Sequence, residues 1–556
     1  MKTVPVTWTF NSQRIPADHP NCRPPTVNVC LIAAHPGWLR WPLSFLLVCG
    51  LGLGAFTARA QTEAELIRVL QSAATAVQKA DACKLLRQRG TAAAVPALAP
   101  LLRDERVSQA ARFALEGIAA PEAAAALREA LNLTSGLLQA GIVDSLGWKR
   151  DAAAVPTLQP LLASAETSLA GPAALALGRI GGSEARAALR AAWDHATPPV
   201  RSFMAEGLLQ CAEQLLAQQK NAEAQTLYTL LTAAAAPESV RVAAHAGLIR
   251  SAGDRALTKI VAALQDSDAA AQLAALQLAG EVADPNATRV FAGLLPRSSP
   301  ALQIGLLALL AQRGDPVALP AVQAAAQSPE SAVRTAAWAA LGELGDARIV
   351  PLLAQAALSA DANEQQAART ALVTLRRGEV AEALVQHLGR APATMQVELV
   401  RALTARAETA AVPALLQLAG SDRPATQQAV FRALGQLADG HHAGALVKLL
   451  EDARDDATRT GVMGIFESLS DRLPTGQGLD TAPIVRGITK GDLGTRQALL
   501  QVCAFFASEP LRTALRAALQ DDAAPLRAAA ARALCDTQDP DLLPDLLTVA
   551  RETADA

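Results

Sequence analysis

The stretch from Pro316 to Asp346, PVALPAVQAAAQSPESAVRTAAWAALGELGD, constrains this chain more than any other, because it cannot fold alone. Val317, Leu319 and Val322 form one apolar stripe, and Val333, Ala336, Ala337, Ala340, Leu341 and Leu344 recur at three- and four-residue steps to form a second. The pattern predicts two amphipathic helices. Pro316 and Pro320 fall in the first turn or so of the first helix, where a missing N–H is tolerated. Ser328-Pro329-Glu330 breaks the run and starts the second helix, and Gly345-Asp346 closes it. A two-helix hairpin has no third element to bury its remaining apolar face, so it is stable only when stacked on copies of itself.

The copies are present. From Leu341, steps of 31 residues lead back to Leu310 and forward to Leu372, Leu403 and Leu434, and the same step joins Leu115, Leu146, Leu177 and Leu208. Less regular steps run through Leu248, Leu278, Phe466, Cys503 and Leu534, and Leu85 is the expected first anchor. Val95-Pro96, Val155-Pro156, Leu319-Pro320, Val350-Pro351, Val412-Pro413 and Leu543-Pro544 mark first helices in step with the anchors. The expectation is an all-α, right-handed α-solenoid of about fifteen hairpins, ended by caps at Thr62 to Leu70 and Leu542 to Val549.

The recurring V-P-x-L, short polar turn, then V-R-x-x-A-x-x-A-L-G-x-L-G-D resembles HEAT repeats of the short, phycobilisome-lyase type, from about Asp81 onward. Segments such as AVPALAPLLRDERVSQAARFALEGI are also similar to helical arrays of secreted bacterial proteins, which are often joined to a cytochrome c or a 3-keto-disaccharide hydrolase-type domain. Here the repeats run almost to Ala556. The expected organisation is a leader and signal peptide over 1–60, regular repeats over 61–210, and an irregular tetratricopeptide-like hairpin over 211–250. Central repeats over 251–466, a Gly/Pro loop region over 467–494 and C-terminal repeats with a cap over 495–556 complete it.

The opening residues carry a targeting signal. LSFLLVCGLGLGAF, residues 43–56, is an apolar run preceded by Arg40 and followed by Ala58-Arg59-Ala60, which reads as a secretory signal peptide of about Arg40–Ala60 cleaved before Gln61. The run is short of the roughly 20 residues of a transmembrane helix, so no integral membrane span is expected in the mature chain. The destination is periplasmic or secreted. A signal peptide of ordinary length would start near residues 27–31, so the polar, Pro- and Cys-containing leader before it is surplus.

Without residues 1–60, 45 Lys+Arg face 51 Asp+Glu, a formal charge of −6. An acidic chain with Trp148, Trp193 and Trp338 as its mature indoles and Tyr228 as its sole tyrosine does not offer the basic, aromatic face that nucleic acid requires. The mature cysteines Cys83, Cys211, Cys503 and Cys535 form no C-x-x-C pair and read as buried free thiols. No His-Glu dipeptide occurs, so the di-iron site of the HEAT-repeat deoxyhypusine hydroxylases, which uses such pairs, is absent. His441-His442 in an inter-helix turn is the one pair that could catch a metal, and solvated turn residues are the stronger reading. The glycines of Pro474-Thr475-Gly476-Gln477-Gly478 lack the preceding strand and following Lys-Ser/Thr of a phosphate loop. No cofactor is implied.

Arg201, Arg241, Arg334, Arg459, Arg496 and Arg527 each stand seven residues before an anchor and form one row along the second helices. The resemblance to HEAT repeats implies an internal ladder with acids of neighbouring turns; a row binding an acidic partner is the alternative. Trp338 and Phe431, three residues before Leu341 and Leu434, sit on the flank of the buried stripe and either fill gaps between repeats or edge a groove. Met463 is their counterpart before Phe466. The candidate interaction surface is therefore Arg334, Trp338, Phe431, Tyr228, His441 and His442. The functional expectation is a non-catalytic scaffold for protein partners, with an accessory module of an envelope enzyme (saccharide-processing, redox or lyase-like) as the rival.

Overall fold

The computed structural model describes residues 62–554 apart from 234, 474–477 and 538, and the expected leader and signal peptide over 1–60 lie outside the described residues. The segment Thr62–Ala556 is one compact unit. It is an all-α solenoid. Among the described residues, helices pair into fifteen hairpins, from Glu63–Gln71 with Ala76–Arg89 to Glu509–Leu519 with Ala524–Asp536, and Leu543–Ala554 follows as a single last helix. No described residue lies in a strand, and one isolated bridge joins Asp346 to Arg377. None of the described helices is long and apolar enough to cross a membrane.

The helix starts follow from local chemistry. Many first helices open with a short 3-10 turn capped by an aspartate: Asp315 accepts from the amide of Val317, Asp346 from Arg348, Asp439 from His441 and Asp539 from Asp541. A proline then occupies an opening position of the α-helix, as in Leu319–Ala325 and Val350–Ala356, where its absent N–H has no intrahelical partner to lose. Second helices use side-chain caps of their own: Asp361 accepts from Asn363 and Glu364, Asp455 from Thr458, and Asp492 from Thr495.

The anchors form the core. Leu115, Leu146, Leu177, Leu208, Leu310, Leu341, Leu403, Leu434 and Phe466 are fully buried. Two anchors depart from expectation. Leu85 is only half-buried while Leu86 takes the core position, and Leu248 is half-buried while Ile249 is buried. The thiols also divide: Cys83, Cys211 and Cys503 are buried, whereas Cys535, one residue past its anchor, is exposed.

The two irregular steps have structural causes. The 40-residue step comes from the 20-residue second helix Pro198–Ala217, so the segment starting at Cys211 is the end of that helix followed by the ordinary hairpin Asn221–Leu231 and Glu238–Arg250. The lengthened element is a second helix. The 37-residue step comes from the 17-residue helix Asp456–Arg472 and the irregular stretch before Ala482–Lys490, so much of residues 467–494 is helical. Pro474 to Gln477 lie outside the described residues. Near the first of these irregularities the buried side chains fall into two clusters, Leu66 to Ala244 and Ala246 to Leu542, which meet on helix Glu238–Arg250.

Candidate functional site

The arginine row lies along the second helices and its guanidiniums are engaged within the protein. Arg334 donates to the carbonyls of Ser328 and Pro329, both at 2.8 Å, and pairs with Glu364 of the next second helix at 2.5 Å. Arg241 pairs with Asp268 at 3.0 Å and Arg496 with Asp521 at 2.6 Å, again one repeat on. Arg459 holds the Ala453 carbonyl and Asp456, Arg201 the Ala196 carbonyl, and Arg527 the carbonyls of Asp521 and Asp522. The row is thus spent inside the array: five members hold backbone carbonyls of their own hairpins, and Arg241, Arg334 and Arg496 reach the next. Glu364 is buried beneath Arg334, and Asp361 beside it is held below the usual carboxylate range, first by the hydroxyl of Ser331.

A second basic row was not visible from the anchors. Near the ends of second helices, Lys149 donates to the carbonyls of Leu115 and Ile118, Arg313 to Ala279 and Val282, Arg406 to Leu372, Val373 and Leu375, and Arg472 to Gly435, Gln436 and Ala438. These are the unsatisfied carbonyls at the negative end of the preceding helix, where a cation both hydrogen-bonds and meets a favourable dipole. One lysine and three arginines make up this row, and Arg472 stands six residues past its anchor where the others stand three, which conceals it from a fixed-period reading.

The other candidate residues scatter. Trp338 is 6% exposed and belongs to the core, with its Nε1–H unpaired among the described residues. Tyr228 is fully buried, its hydroxyl donates to Glu213 at 2.8 Å, and its ring occupies the space left by Gly247, where a Cβ would lie 2.3 Å from it. His442 bonds Asp439 at 2.7 Å within the cap of a 3-10 turn, and exposed His441 donates its backbone amide to the same carboxylate. Among the described residues no three His, Cys, Asp or Glu side chains gather as metal ligands would.

Phe431 alone of the six lines an open groove. The groove, about 1350 Å³, runs between the second helices Pro424–Leu437 and Asp456–Arg472. Its floor lacks bulk because Gly435, Gly461 and Gly464 carry no side chain there. Half-buried Phe431 lies over Gly461, where a Cβ would come within 2.2 Å of the ring, whereas a Cβ on Gly464 would meet nothing within 4 Å. One wall presents Gln428, Arg432 and Gln436 at four-residue spacing, and the other presents Thr460 and Asp471. Arg432 is exposed and outside the ladder, and like Asp471 its side chain has no hydrogen bond or ion pair among the described residues. Sequence spacing identified Phe431 but not the glycines opposite it, since Gly461 and Gly464 gain meaning only when the two helices are side by side.

A family model for HEAT repeats matches residues 124–209, 288–373 and 381–464. The chain is built of HEAT repeats. The groove lies at the end of the third matched HEAT segment, between its two last second helices. No curated protein matches the chain. Similar solved HEAT-type structures include Kap121p, at 12% identity over 88% of this chain and 69% of that one with a TM-score of 0.42. Yeast importin-beta (Kap95p) is 12% identical over 90% and 74%, with a TM-score of 0.36. Human deoxyhypusine hydroxylase in complex with glycerol is 24% identical over 46% of this chain and 96% of that one, with a TM-score of 0.21.

Proposed function

We propose that this HEAT array is a non-catalytic protein-interaction scaffold that works outside the cytoplasm and receives a partner in the groove beside Phe431. The groove carries the reading. It is open, mostly apolar, and edged by polar side chains with no partner among the described residues, while the other charged rows are consumed by turns and helix ends. Support for export is the apolar run at residues 43–56 and the Ala58-Arg59-Ala60 that follows it.

Two measurements test the proposal. Cell fractionation with N-terminal sequencing should find the chain in the envelope or medium beginning at Gln61; an unprocessed cytoplasmic chain refutes export. Crosslinking and affinity capture with the full-length chain should recover a protein that Gly464→Leu, which fills the groove from a position with free space, no longer recovers. If Gly464→Leu captures the same proteins as wild type, the groove is not the docking site. Turnover of a sugar or chromophore by the purified chain would favour the enzyme-module alternative.

A further inference from the structure

We propose that the occupant of this groove is an extended peptide segment carrying an acidic and a basic residue three positions apart. The inference rests on the scaffold reading above and adds the chemistry of the partner.

Width permits an extended conformation. Axes of neighbouring packed helices lie about 8–10 Å apart, and the furrow between two of them takes a single extended strand along its length. The walls agree. Gln428 and Gln436 line the groove with side-chain amides that bond nothing else among the described residues. A helical ligand has already paired its own backbone groups, but an extended one brings unpaired N–H and C=O groups that such amides can meet.

The charges set the register. A Cβ on Gly435 would lie 3.2 Å from the hydroxyl of Ser468, which places residue 435 opposite 468. Asp471 is three residues beyond Ser468 and Arg432 three before Gly435, so the two charges stand about six residues, or ~9 Å, apart along the groove. At roughly 3.3 Å per residue that distance is three positions of an extended chain. Successive side chains of a strand point to opposite sides, so positions i and i+3 face opposite walls, as Arg432 and Asp471 do. An acid therefore meets Arg432 and a base meets Asp471, with an apolar residue covering Phe431.

The test uses fluorescein-labelled nine-residue synthetic peptides and the full-length chain, read by fluorescence polarisation. Peptides with Glu-x-x-Lys or Lys-x-x-Glu, each with a valine beside the glutamate, are compared with Glu-x-x-Glu, Lys-x-x-Lys and an alanine-rich helical peptide carrying the charges seven apart. One of the mixed-charge orders should bind at least tenfold more tightly than every control. Arg432→Glu should shift the preference to Lys-x-x-Lys, and Asp471→Arg to Glu-x-x-Glu, both with unchanged melting temperature because neither side chain is engaged in the fold. Equal binding of all peptides, a preference untouched by both substitutions, or tighter binding of the helical peptide overturns the proposal. If Gly464→Leu abolishes partner capture while the peptides are not discriminated, this inference fails and the scaffold reading stands; if Gly464→Leu changes nothing, both fail.

Discussion

Trp338 and Phe431 hold equivalent places three residues before Leu341 and Leu434, yet one is buried in the stack and the other borders an open groove. The difference lies in the facing helix, where Gly461 and Gly464 leave a trough beside Phe431. Trp338→Ala should therefore lower stability by about 3–5 kcal/mol in equilibrium denaturation, the usual cost of emptying a buried indole site. Trp338→Phe should cost less than half of that, because most of the volume stays and the unpaired indole N–H is removed. Gly464→Leu should leave the melting temperature unchanged or raise it, since it replaces a helical glycine without a clash. Thiol labelling separates the cysteines in the same way. Burial pushes Cys83 and Cys211 up to about 11 and Cys503 to about 12, so of the four cysteines among the described residues only Cys535 should react at pH 8 before unfolding, as located by mass spectrometry.

Between helices, the arginine ladder couples each hairpin to the next. Glu364 is buried under Arg334, so Arg334→Ala leaves a buried carboxylate without its cation and should lower the denaturation midpoint. The double variant with Glu364→Leu should recover part of that loss, which a double-mutant cycle measures. Acid should loosen the same elements. Amide hydrogen bonds from Thr458, Thr495 and Ala523 hold Asp455, Asp492 and Asp521 below the usual carboxylate range. A carboxylate whose folded pKa is depressed stabilises fully above its ordinary value near 3.8 and loses that contribution as pH falls through the folded value. Melting temperature should thus stay flat from pH 7 to about 5 and fall steeply below about 4.

Across the whole described array, stability is a sum of hairpins and the interfaces between neighbours, so the weakest interface sets where cooperativity breaks. The two buried clusters meet on helix Glu238–Arg250, where Gly247 gives room to the ring of Tyr228. Gly247→Val should displace that ring and split denaturant unfolding into two transitions. Hydrogen exchange should then show residues before about 240 and after about 250 opening at different denaturant concentrations; a single transition would place the weak interface elsewhere.

Much of this was legible in the sequence. A 31-residue recurrence of leucine, proline and small residues leaves a hairpin no stable state except a stack, so the all-α array and its fifteen hairpins followed from local periodicity, and the resemblance of the repeated motif to HEAT repeats supplied the family. The arginine row followed too, because its spacing to the anchor is constant. What the sequence could not decide is what stands opposite each side chain. Whether Leu85 or Leu86 enters the core, whether Arg472 points to solvent or to the carbonyls of the previous helix, and whether Phe431 packs or borders a groove all depend on a residue about thirty positions away. The lengths of Pro198–Ala217 and Asp456–Arg472 shift that register, and only the packed helices set which residue answers which.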